Sequence, residues 1–201
     1  MTAKILFLLG SYFLGSFPTG YLFFKWSERK DIRRFGSGAT GATNVLRLKG
    51  VLFALPVAVI DIAKGAAPAI LAQSLFGQAG FSALCASAAV IGHCFPVYIG
   101  FRGGKGVATA AGAMSALAWG PALLCLGVFI LAVSVTRFVS VGSILAAVLF
   151  PVFSLILGLP QDLVLLSLPI VFVILLRHAS NIGRLLRGEE KKFGRKPEAE
   201  A

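Results

Sequence analysis

Long apolar stretches, separated by short basic or glycine-rich segments, repeat along the whole chain. The stretches 3–24, 51–73 and 79–99 are examples, and each reaches the length of about 20 residues that a helix needs to cross the hydrocarbon core of a bilayer. There is room for about seven such crossings, and no other segment is long enough for a soluble domain. The pattern therefore predicts an all-α integral membrane protein, with one transmembrane domain over residues 1–192 and a disordered polar tail over 193–201.

Composition strengthens this prediction and narrows the chemistry. Of the 201 residues 57% are hydrophobic and 13% are charged, and the mean hydropathy is +0.88, well above that of a soluble domain. The cysteines, Cys85, Cys94 and Cys125, lie inside apolar stretches and lack the paired spacing of metal sites. We therefore expect membrane lipid as a partner, and neither nucleic acid, a metal nor a cofactor.

The positions of the basic residues predict how the helices are oriented. Lysines and arginines are concentrated in the segments 25–49, 102–105 and 177–196, and Arg137 lies alone in a turn, whereas the turns near 73–81, 119–121 and 158–162 have none. Short basic loops stay in the cytoplasm. The alternation predicts a bundle of seven transmembrane helices with the N-terminus outside and the C-terminus cytoplasmic.

One apolar stretch needs a break for this count to hold. The stretch 107–136 is too long for one comfortable crossing, and Gly120 and Pro121 form a turn signal inside it. We predict that the helix breaks there, which leaves a short first half.

Four polar stretches fall on the predicted cytoplasmic side, and the first is rich in glycine and hydroxyl groups. Residues 35–47 read Phe-Gly-Ser-Gly-Ala-Thr-Gly-Ala-Thr-Asn-Val-Leu-Arg. Glycines let backbone N–H groups turn toward an oxyanion, and an arginine can bind a phosphate with two hydrogen bonds. The candidate binding residues are Ser37, Gly38, Gly41, Thr43, Asn44 and Arg47. The alternative is a flexible loop whose small residues pack between helices.

The second stretch, 92–109, contains Gly103-Gly104-Lys105-Gly106. A helix that begins just after Gly106 would offer free N–H groups and a positive dipole end to an anion, with Lys105 as a point charge. Arg102, Gly103 and Gly104 join the candidate binding residues, and Lys105 is a candidate catalytic residue. The alternative is a basic cytoplasmic turn, which would not require three glycines. His93 is more typical of a packed or capping residue.

The third and fourth stretches, 137–143 and 177–184, contribute hydroxyl, imidazole and amide groups. Ser143 ends the third, and His178, Asn181 and Arg184 are three residues apart in the fourth, so that they share one face of a helix. Asp61 and Lys64 lie deeper in a crossing and are interpreted as a structural pair outside the site.

Several motifs together resemble those of the bacterial acyl-phosphate:glycerol-3-phosphate acyltransferases. They are Gly-Ser-Phe-Pro-Thr-Gly-Tyr at 15–21, the 36–47 loop, Asp-x-x-Lys-Gly at 61–65, and the second stretch ending Gly-Gly-Lys-Gly-Val-Ala-Thr. The similarity runs from about Gly15 to Arg187. Ala39 and Ala179 depart from it, since the family usually has Asn and a basic residue there.

The resemblance implies an enzyme of the bacterial cytoplasmic (inner) membrane with its active site on the cytoplasmic face. It would transfer a fatty acyl group from acyl phosphate to the 1-hydroxyl of glycerol 3-phosphate, giving lysophosphatidic acid and phosphate. The implied catalytic residues are Lys105, Ser143, His178 and Asn181. No carboxylate lies in the four polar stretches, so we expect a substrate phosphate to accept the proton, with His178 as base or orienting residue left open.

Two other functions are compatible with parts of the pattern. A transporter of organic phosphates could use basic glycine-rich loops, but the predicted outer turns offer no basic residue to receive the anion. A purely structural membrane subunit would leave the glycine and lysine spacing unexplained.

Overall fold

The computed structural model describes residues 1–194, and this part of the chain is entirely helical, with no strand. Ten α-helices follow one another: α1 (Thr2–Gly15), α2 (Thr19–Glu28), α3 (Ala42–Lys49), α4 (Val51–Phe76), α5 (Ala79–Cys94), α6 (Val107–Leu117), α7 (Trp119–Thr136), α8 (Val139–Ile156), α9 (Gln161–Arg177) and α10 (Ala179–Leu186). Short 3-10 turns at Ile32–Arg34 and Val97–Ile99 lie in two of the connections. The predicted all-α fold is confirmed for the described residues.

Five helical stretches among the described residues are long and apolar enough to cross a membrane. They are Thr2–Glu28, Val51–Phe76, Ala79–Ile99, Trp119–Thr136 and Val139–Ile156. A sixth results if α9 and α10, which are bent by 52° at His178, count as one crossing. The remaining apolar helix, α6, has 11 residues and is about 16 Å long at 1.5 Å per residue. The structure thus supports five or six crossings, and a seventh would have to be α6.

The first crossing is interrupted where the sequence analysis treats it as one helix. α1 ends at Gly15 and α2 begins at Thr19, with Pro18 between them. Proline has no N–H to donate and disfavours the helical conformation of the residue before it, so Phe17 and Pro18 leave the helix.

The break within 107–136 also differs in position from the prediction. It lies at Ala118, which is extended (φ −156°, ψ 90°), while Gly120 and Pro121 belong to the first turn of α7. The first N–H groups of a helix have no partner within it, so Pro121 is tolerated there without a break. The predicted interruption exists, but proline is not its site.

Glycines allow the helices that carry the site to pack closely. A Cβ on Gly65 of α4 would lie 1.9 Å from the carbonyl oxygen of Thr109, and one on Gly112 of α6 would lie 2.0 Å from that of Ile62. Helix association in lipid depends on such close backbone approach. The crossing of α4 and α6 fixes where α6 begins, and Lys105 lies just before it.

Outside these contacts the helices present large apolar side chains to their surroundings. Leu52, Trp119, Val135 and Ile156 are all more than two-thirds exposed. An apolar exterior of this extent is typical of a protein whose solvent is lipid.

The predicted disordered tail is described only at its start. The N–H of Phe193 donates to the carbonyl oxygen of Arg137 (2.7 Å), which ties residue 193 to the turn between α7 and α8. Residues 195–201 lie outside the described part of the chain.

Candidate active site

A cavity of about 660 Å³ opens where α3, α6, α8 and α10 meet. Its polar part is lined by Ser37, Thr43, Asn44, Arg47, Asp61, His93, Lys105, Ser140, Ser143, His178, Asn181 and Glu190. Its apolar part continues between α4, α6, α7 and α8 and is lined by Ile62, Met114, Trp119, Leu123, Leu126, Phe129 and Phe150, among others. The cavity therefore has one polar and one apolar end.

Nine of the thirteen predicted site residues line this cavity. They are Ser37, Gly41, Thr43, Asn44, Arg47, Lys105, Ser143, His178 and Asn181. The structure does not bring Gly38, Arg102, Gly103 or Gly104 to its wall. Residues from four separate parts of the chain thus meet at one place, as their common position at the predicted cytoplasmic end implies.

Asn44 shapes the first polar stretch into a closed loop. Its Oδ1 accepts a hydrogen bond from the N–H of Ser37 (2.9 Å), and its Nδ2 donates to the carbonyl oxygens of Phe35 (3.1 Å) and Ala39 (2.9 Å). Gly36 has a positive φ of 62°, and a Cβ there would lie 2.2 Å from Asn44 Oδ1. The Asn44 amide is thus used within the loop, so its contribution to the cavity is the loop's shape.

Arg47 lies in α3 beside this loop and makes no ion pair within residues 1–194. Burial lowers the pKa of Arg47, an effect that Glu190 opposes and Arg184 reinforces. A guanidinium stays charged even so. A half-buried cation that forms no ion pair in this part of the chain favours an anionic ligand in the cavity.

The second polar stretch is held in place mainly through its backbone. The N–H groups of Gly103 and Gly104 donate to the carbonyl oxygens of Cys94 and His93 (both 3.2 Å). From the other side, Arg177 donates through Nη2 to the Gly103 carbonyl (2.9 Å) and through Nε to that of Gly104 (3.0 Å). These glycines, predicted to contact an anion, instead connect the loop to α5 and α9.

The predicted helix start after Gly106 is confirmed. Gly106 is in the left-handed region (φ 80°), its carbonyl accepts from the N–H of Ala110 (2.7 Å), and α6 begins at Val107. Lys105 therefore lies in the cavity wall just before the N-terminus of α6, where the helix dipole favours anions.

A chain of hydrogen bonds links Lys105 to a carboxylate. Lys105 Nζ donates to Asn181 Oδ1 (2.5 Å), and Asn181 Nδ2 donates to Glu190 Oε1 (2.6 Å). The same carboxylate accepts from Ser140 Oγ at 2.9 Å and from Arg184 Nε at 2.7 Å. Glu190 is the functional-site candidate that the sequence analysis missed.

Glu190 and Asp61 correct the expectation that no carboxylate lies near the site. Both line the cavity, although Glu190 follows the fourth polar stretch and Asp61 lies in α4. Burial alone would raise the pKa of Glu190, but hydrogen bonds from Asn181, Arg184 and Ser140 outweigh burial and hold that pKa below its usual value. An ionised carboxylate with a lowered pKa is a weak proton acceptor.

Lys105 lies at the polar end of the cavity, here called its mouth, and its pKa is strongly lowered. Burial lowers the pKa of Lys105 to about 8; Glu190 opposes this shift, while Arg184, Arg47 and Arg177 add to it. Lys105, Arg47, Arg177 and Arg184 thus lie close enough to repel one another at this end of the cavity, and Glu190 offsets part of their charge. The electrostatic character of the mouth suits an anion with more than one charge.

His178 and Ser143 are both buried and both bonded to their own helices. His178 Nδ1 lies 2.8 Å from the carbonyl oxygen of Ile174, which places the proton on Nδ1 and leaves Nε2 as an acceptor in the neutral ring. Ser143 Oγ donates to the carbonyl oxygen of Val139 (2.8 Å), and its lone pairs remain free to accept.

Known proteins are similar to this chain over nearly all of its length. Residues 5–188 match the family described as Glycerol-3-phosphate acyltransferase. Proteins of that name from Synechococcus sp. (strain CC9902) and Shouchella clausii (strain KSM-K16) are each 43% identical to this chain; the alignments cover 98% of it in both cases, and 98% and 97% of the relatives.

Two crystal structures of PlsY (YgiH), an integral membrane glycerol 3-phosphate acyltransferase, are similar to this fold. The glycerol 3-phosphate form has a TM-score of 0.91 and 36% identity, and the lysophosphatidic acid form has a TM-score of 0.88 and 35% identity. Each comparison covers 96% of both chains.

Proposed function

The chain belongs to the glycerol-3-phosphate acyltransferase family and is an integral membrane enzyme of the PlsY type, and on this basis we propose that its acyl donor is an acyl phosphate. The reaction would transfer the acyl group to the 1-hydroxyl of glycerol 3-phosphate. The products are lysophosphatidic acid and inorganic phosphate. Structural relatives in forms with glycerol 3-phosphate and with lysophosphatidic acid support the acceptor and the lipid product.

The observation that carries the proposal is the cavity with a cationic mouth and an apolar interior. Glycerol 3-phosphate and acyl phosphate are both anions, and only the donor has a long apolar tail. The cations at the mouth, Arg47 and Lys105, suit the phosphates, while the surface between α6, α7 and α8 suits the acyl chain. The acyl carbonyl would then lie where the two parts of the cavity meet.

We assign the two phosphates to the two sides of the mouth. Arg47 and Ser37 would bind glycerol 3-phosphate, with Thr43 and Gly41 beside them, because these residues surround one loop that Asn44 holds closed. Lys105 would bind the donor phosphate at the N-terminus of α6. Ser143, His178 and Asn181 would orient the carbonyl and the attacking hydroxyl.

We propose that the proton acceptor is a substrate phosphate. The hydroxyl oxygen attacks the acyl carbon, the bond between that carbon and the phosphate oxygen breaks, and phosphate leaves with the hydroxyl proton. Glu190 is a poor alternative because three donors already engage its carboxylate. Buried His178, with Nε2 unprotonated, stays open as base or orienting group. The protein would contribute positioning and charge stabilisation.

For the membrane arrangement we propose seven crossings, with α6 as the short one. The N-terminus would lie outside, and the cavity mouth and C-terminus would lie on the cytoplasmic side of the bacterial inner membrane. The contacts of Lys4, the one basic residue placed outside, are compatible with this: Nζ donates to Gln78 Oε1 (2.6 Å) and lies over the rings of Phe76 and Phe81. Residues 1–192 would form a single domain, with 193–201 as its tail.

The proposal is tested by incubating the purified protein with synthetic acyl phosphate and labelled glycerol 3-phosphate. We expect labelled lysophosphatidic acid and an equal amount of released phosphate. Phosphate release without the lipid product would mean that the donor is only hydrolysed, and would contradict the proposed transfer.

A further inference from the structure

Three buried ionisable side chains form a cluster that reaches the loop 103–106, here called the Lys105 loop, through His93, and they have no part in the mechanism above. They are Asp61, Lys64 and His93, which are 1%, 5% and 6% exposed. Lys64 Nζ lies 2.8 Å from Asp61 Oδ1 and donates to the carbonyl oxygen of Phe17 (2.8 Å). Buried charges are costly within a bilayer and generally mark a function.

The position of Lys64 follows from the break between α1 and α2. Because the helix is interrupted at Pro18, the carbonyl oxygen of Phe17 accepts from the nearby N–H of Thr19 (3.0 Å) in place of a regular helical donor, and Lys64 donates to it as well from α4. Asp61 neutralises the lysine one turn earlier on the same helix. The break thus accounts for the Lys64–Asp61 pair, but the second contact of Asp61 needs another explanation.

That second contact leads to His93 and from there to the Lys105 loop. His93 Nδ1 lies 3.7 Å from Asp61 Oδ1. The backbone carbonyl of His93 accepts from the N–H of Gly104 (3.2 Å), and a Cβ on Gly104 would lie 2.1 Å from His93 Nε2. The imidazole ring therefore packs directly against Gly104, the residue before Lys105.

We infer that His93, held by Asp61, is a positioning residue for Lys105. Arg177 holds the carbonyl groups of Gly103 and Gly104 from one side, and the His93 ring supports Gly104 from the other. Without the ring the loop can sink toward α5, and Lys105 Nζ leaves its place beside Asn181. The inference rests on the proposed role of Lys105 in the reaction.

The first test compares His93→Ala and His93→Asn with Lys105→Arg by measuring kcat and both KM values. Displacing a catalytic group by about 1 Å costs on the order of a hundredfold in rate, so we expect that loss in His93→Ala. We also expect its KM to rise for the same substrate whose KM rises in Lys105→Arg. The amide nitrogen of asparagine can take the place of Nδ1 toward Asp61, so His93→Asn should recover about tenfold or more of the loss.

Near-normal turnover in His93→Ala would overturn the inference, as would equal losses in the alanine and asparagine variants. A rise confined to the KM of the other substrate would also overturn it. All values are ratios to the wild-type enzyme, whose activity decides the proposed function separately.

The second test uses the close contact between the ring and Gly104. We expect Gly104→Ala to have a lowered kcat, because its methyl group collides with the imidazole ring. In the double variant His93→Ala/Gly104→Ala that collision is gone, so we expect it to be no slower than His93→Ala alone. Losses that simply multiply would show that the two residues act independently, contrary to the inference.

The third test concerns Asp61 and requires a charge-balanced variant. Asp61→Asn alone would leave the Lys64 ammonium buried without its partner, so Asp61→Asn/Lys64→Met removes both charges. We expect kcat of this double variant to fall about as far as that of His93→Ala, and to fall little further when His93→Ala is added to it. Wild-type kcat in the pair would exclude Asp61 from the positioning role, and the His93 comparisons stand whether or not this pair folds.

Tyr12→Phe is the matched control for loosening the end of α5. Tyr12 Oη donates to the carbonyl oxygen of Phe95 (2.8 Å), two residues beyond His93. We expect this variant to be less stable to heat but to keep kcat and both KM values within about twofold. If it reproduces the His93→Ala pattern, a general loosening of α5 explains the effect, and the positioning role is wrong.

Discussion

At the scale of single residues, the site depends on cations that are partly removed from water. Lys105 and Arg47 line the same cavity mouth, and burial lowers the pKa of each. Their charges are less well solvated than charges at the protein surface, so an incoming phosphate compensates for the lost hydration. Removing one of these charges should therefore affect the reaction more than the fold.

We predict that Lys105→Met and Arg47→Ala abolish most of the activity while the protein stays folded. A loss of about 3 kcal/mol in transition-state stabilisation corresponds to more than a hundredfold in rate. Turnover should be measured together with monodispersity and thermal unfolding in detergent. If Lys105→Met keeps near-normal turnover, the proposed role of Lys105 is wrong.

The lowered pKa of Lys105 predicts a limit to activity at alkaline pH. With a pKa of about 8, the ammonium is charged below that pH and loses its proton as the pH rises through it, so kcat/KM should fall there. Lys105→Arg keeps the charge to much higher pH and should lose this fall, although its rate is lower. The measurement is kcat/KM between about pH 6 and 10, and an unchanged alkaline fall in Lys105→Arg would assign it to another group.

The residues found from sequence are those whose polarity stands out where an apolar helix ends. Lys105 and Asn181 stood out in this way, and the structure brings them into contact. Glu190 could not be identified in this way, because it is one of two adjacent acidic residues in a basic segment that follows the last helix. The chain reverses after α10 through Gly188 (φ 71°), and only this reversal returns the carboxylate to Asn181.

At the scale of elements, the close crossing of α4 and α6 supports the start of α6. We predict that Gly112→Ala lowers the free energy of unfolding by about 1–3 kcal/mol, and with it the melting temperature, because its methyl group would collide with the backbone of Ile62. Gly127→Ala in α7 is the matched control, since a Cβ there meets no atom within 4 Å. Thermal unfolding of both variants in the same detergent decides the prediction, and equal melting temperatures would contradict it.

The helices themselves could be predicted better than their interruptions. Apolar length alone indicates most of them, because lipid leaves few alternatives to a helix. Proline was a poor guide to the breaks: the chain breaks at Pro18 and at Ala118, yet continues as helix through several other prolines. Those in helix interiors are Pro56, Pro68, Pro151 and Pro169. Neighbouring helices can satisfy the carbonyl groups that proline frees, and sequence does not reveal where they do so.

At the scale of the whole molecule, the charges of the loops predict an orientation that can be measured. A cysteine in place of Gln78 should react with a membrane-impermeant thiol reagent in intact cells, whereas one in place of Lys192 should react only after permeabilisation. The native cysteines at 85, 94 and 125 are all buried, so background labelling should be low. Labelling at position 192 from outside intact cells would refute seven crossings with a cytoplasmic C-terminus.

The number of crossings illustrates what sequence can and cannot predict for the molecule as a whole. Loop charges require an odd number of crossings between an outside N-terminus and an inside C-terminus. Helix length alone supports five or six crossings in the described residues, because α6 is short. α6 packs against α4 through Gly65 and Gly112, so one side of α6 contacts protein and not lipid. A short crossing is tolerable where a neighbouring helix shields it in this way.

The central claim is that a cationic mouth and an apolar cavity act on an acyl phosphate, and the most direct measurement compares donors. The purified enzyme is incubated with labelled glycerol 3-phosphate and one donor at a time: acyl phosphate, acyl-CoA or acylated acyl carrier protein. Each incubation is made with and without a chelator. We predict lysophosphatidic acid from acyl phosphate alone, unaffected by the chelator and weakly inhibited by orthophosphate, because a thioester offers no leaving phosphate to be bound by Lys105 or to remove the proton. Robust turnover with acyl-CoA, or complete inactivation by the chelator, would contradict this mechanism.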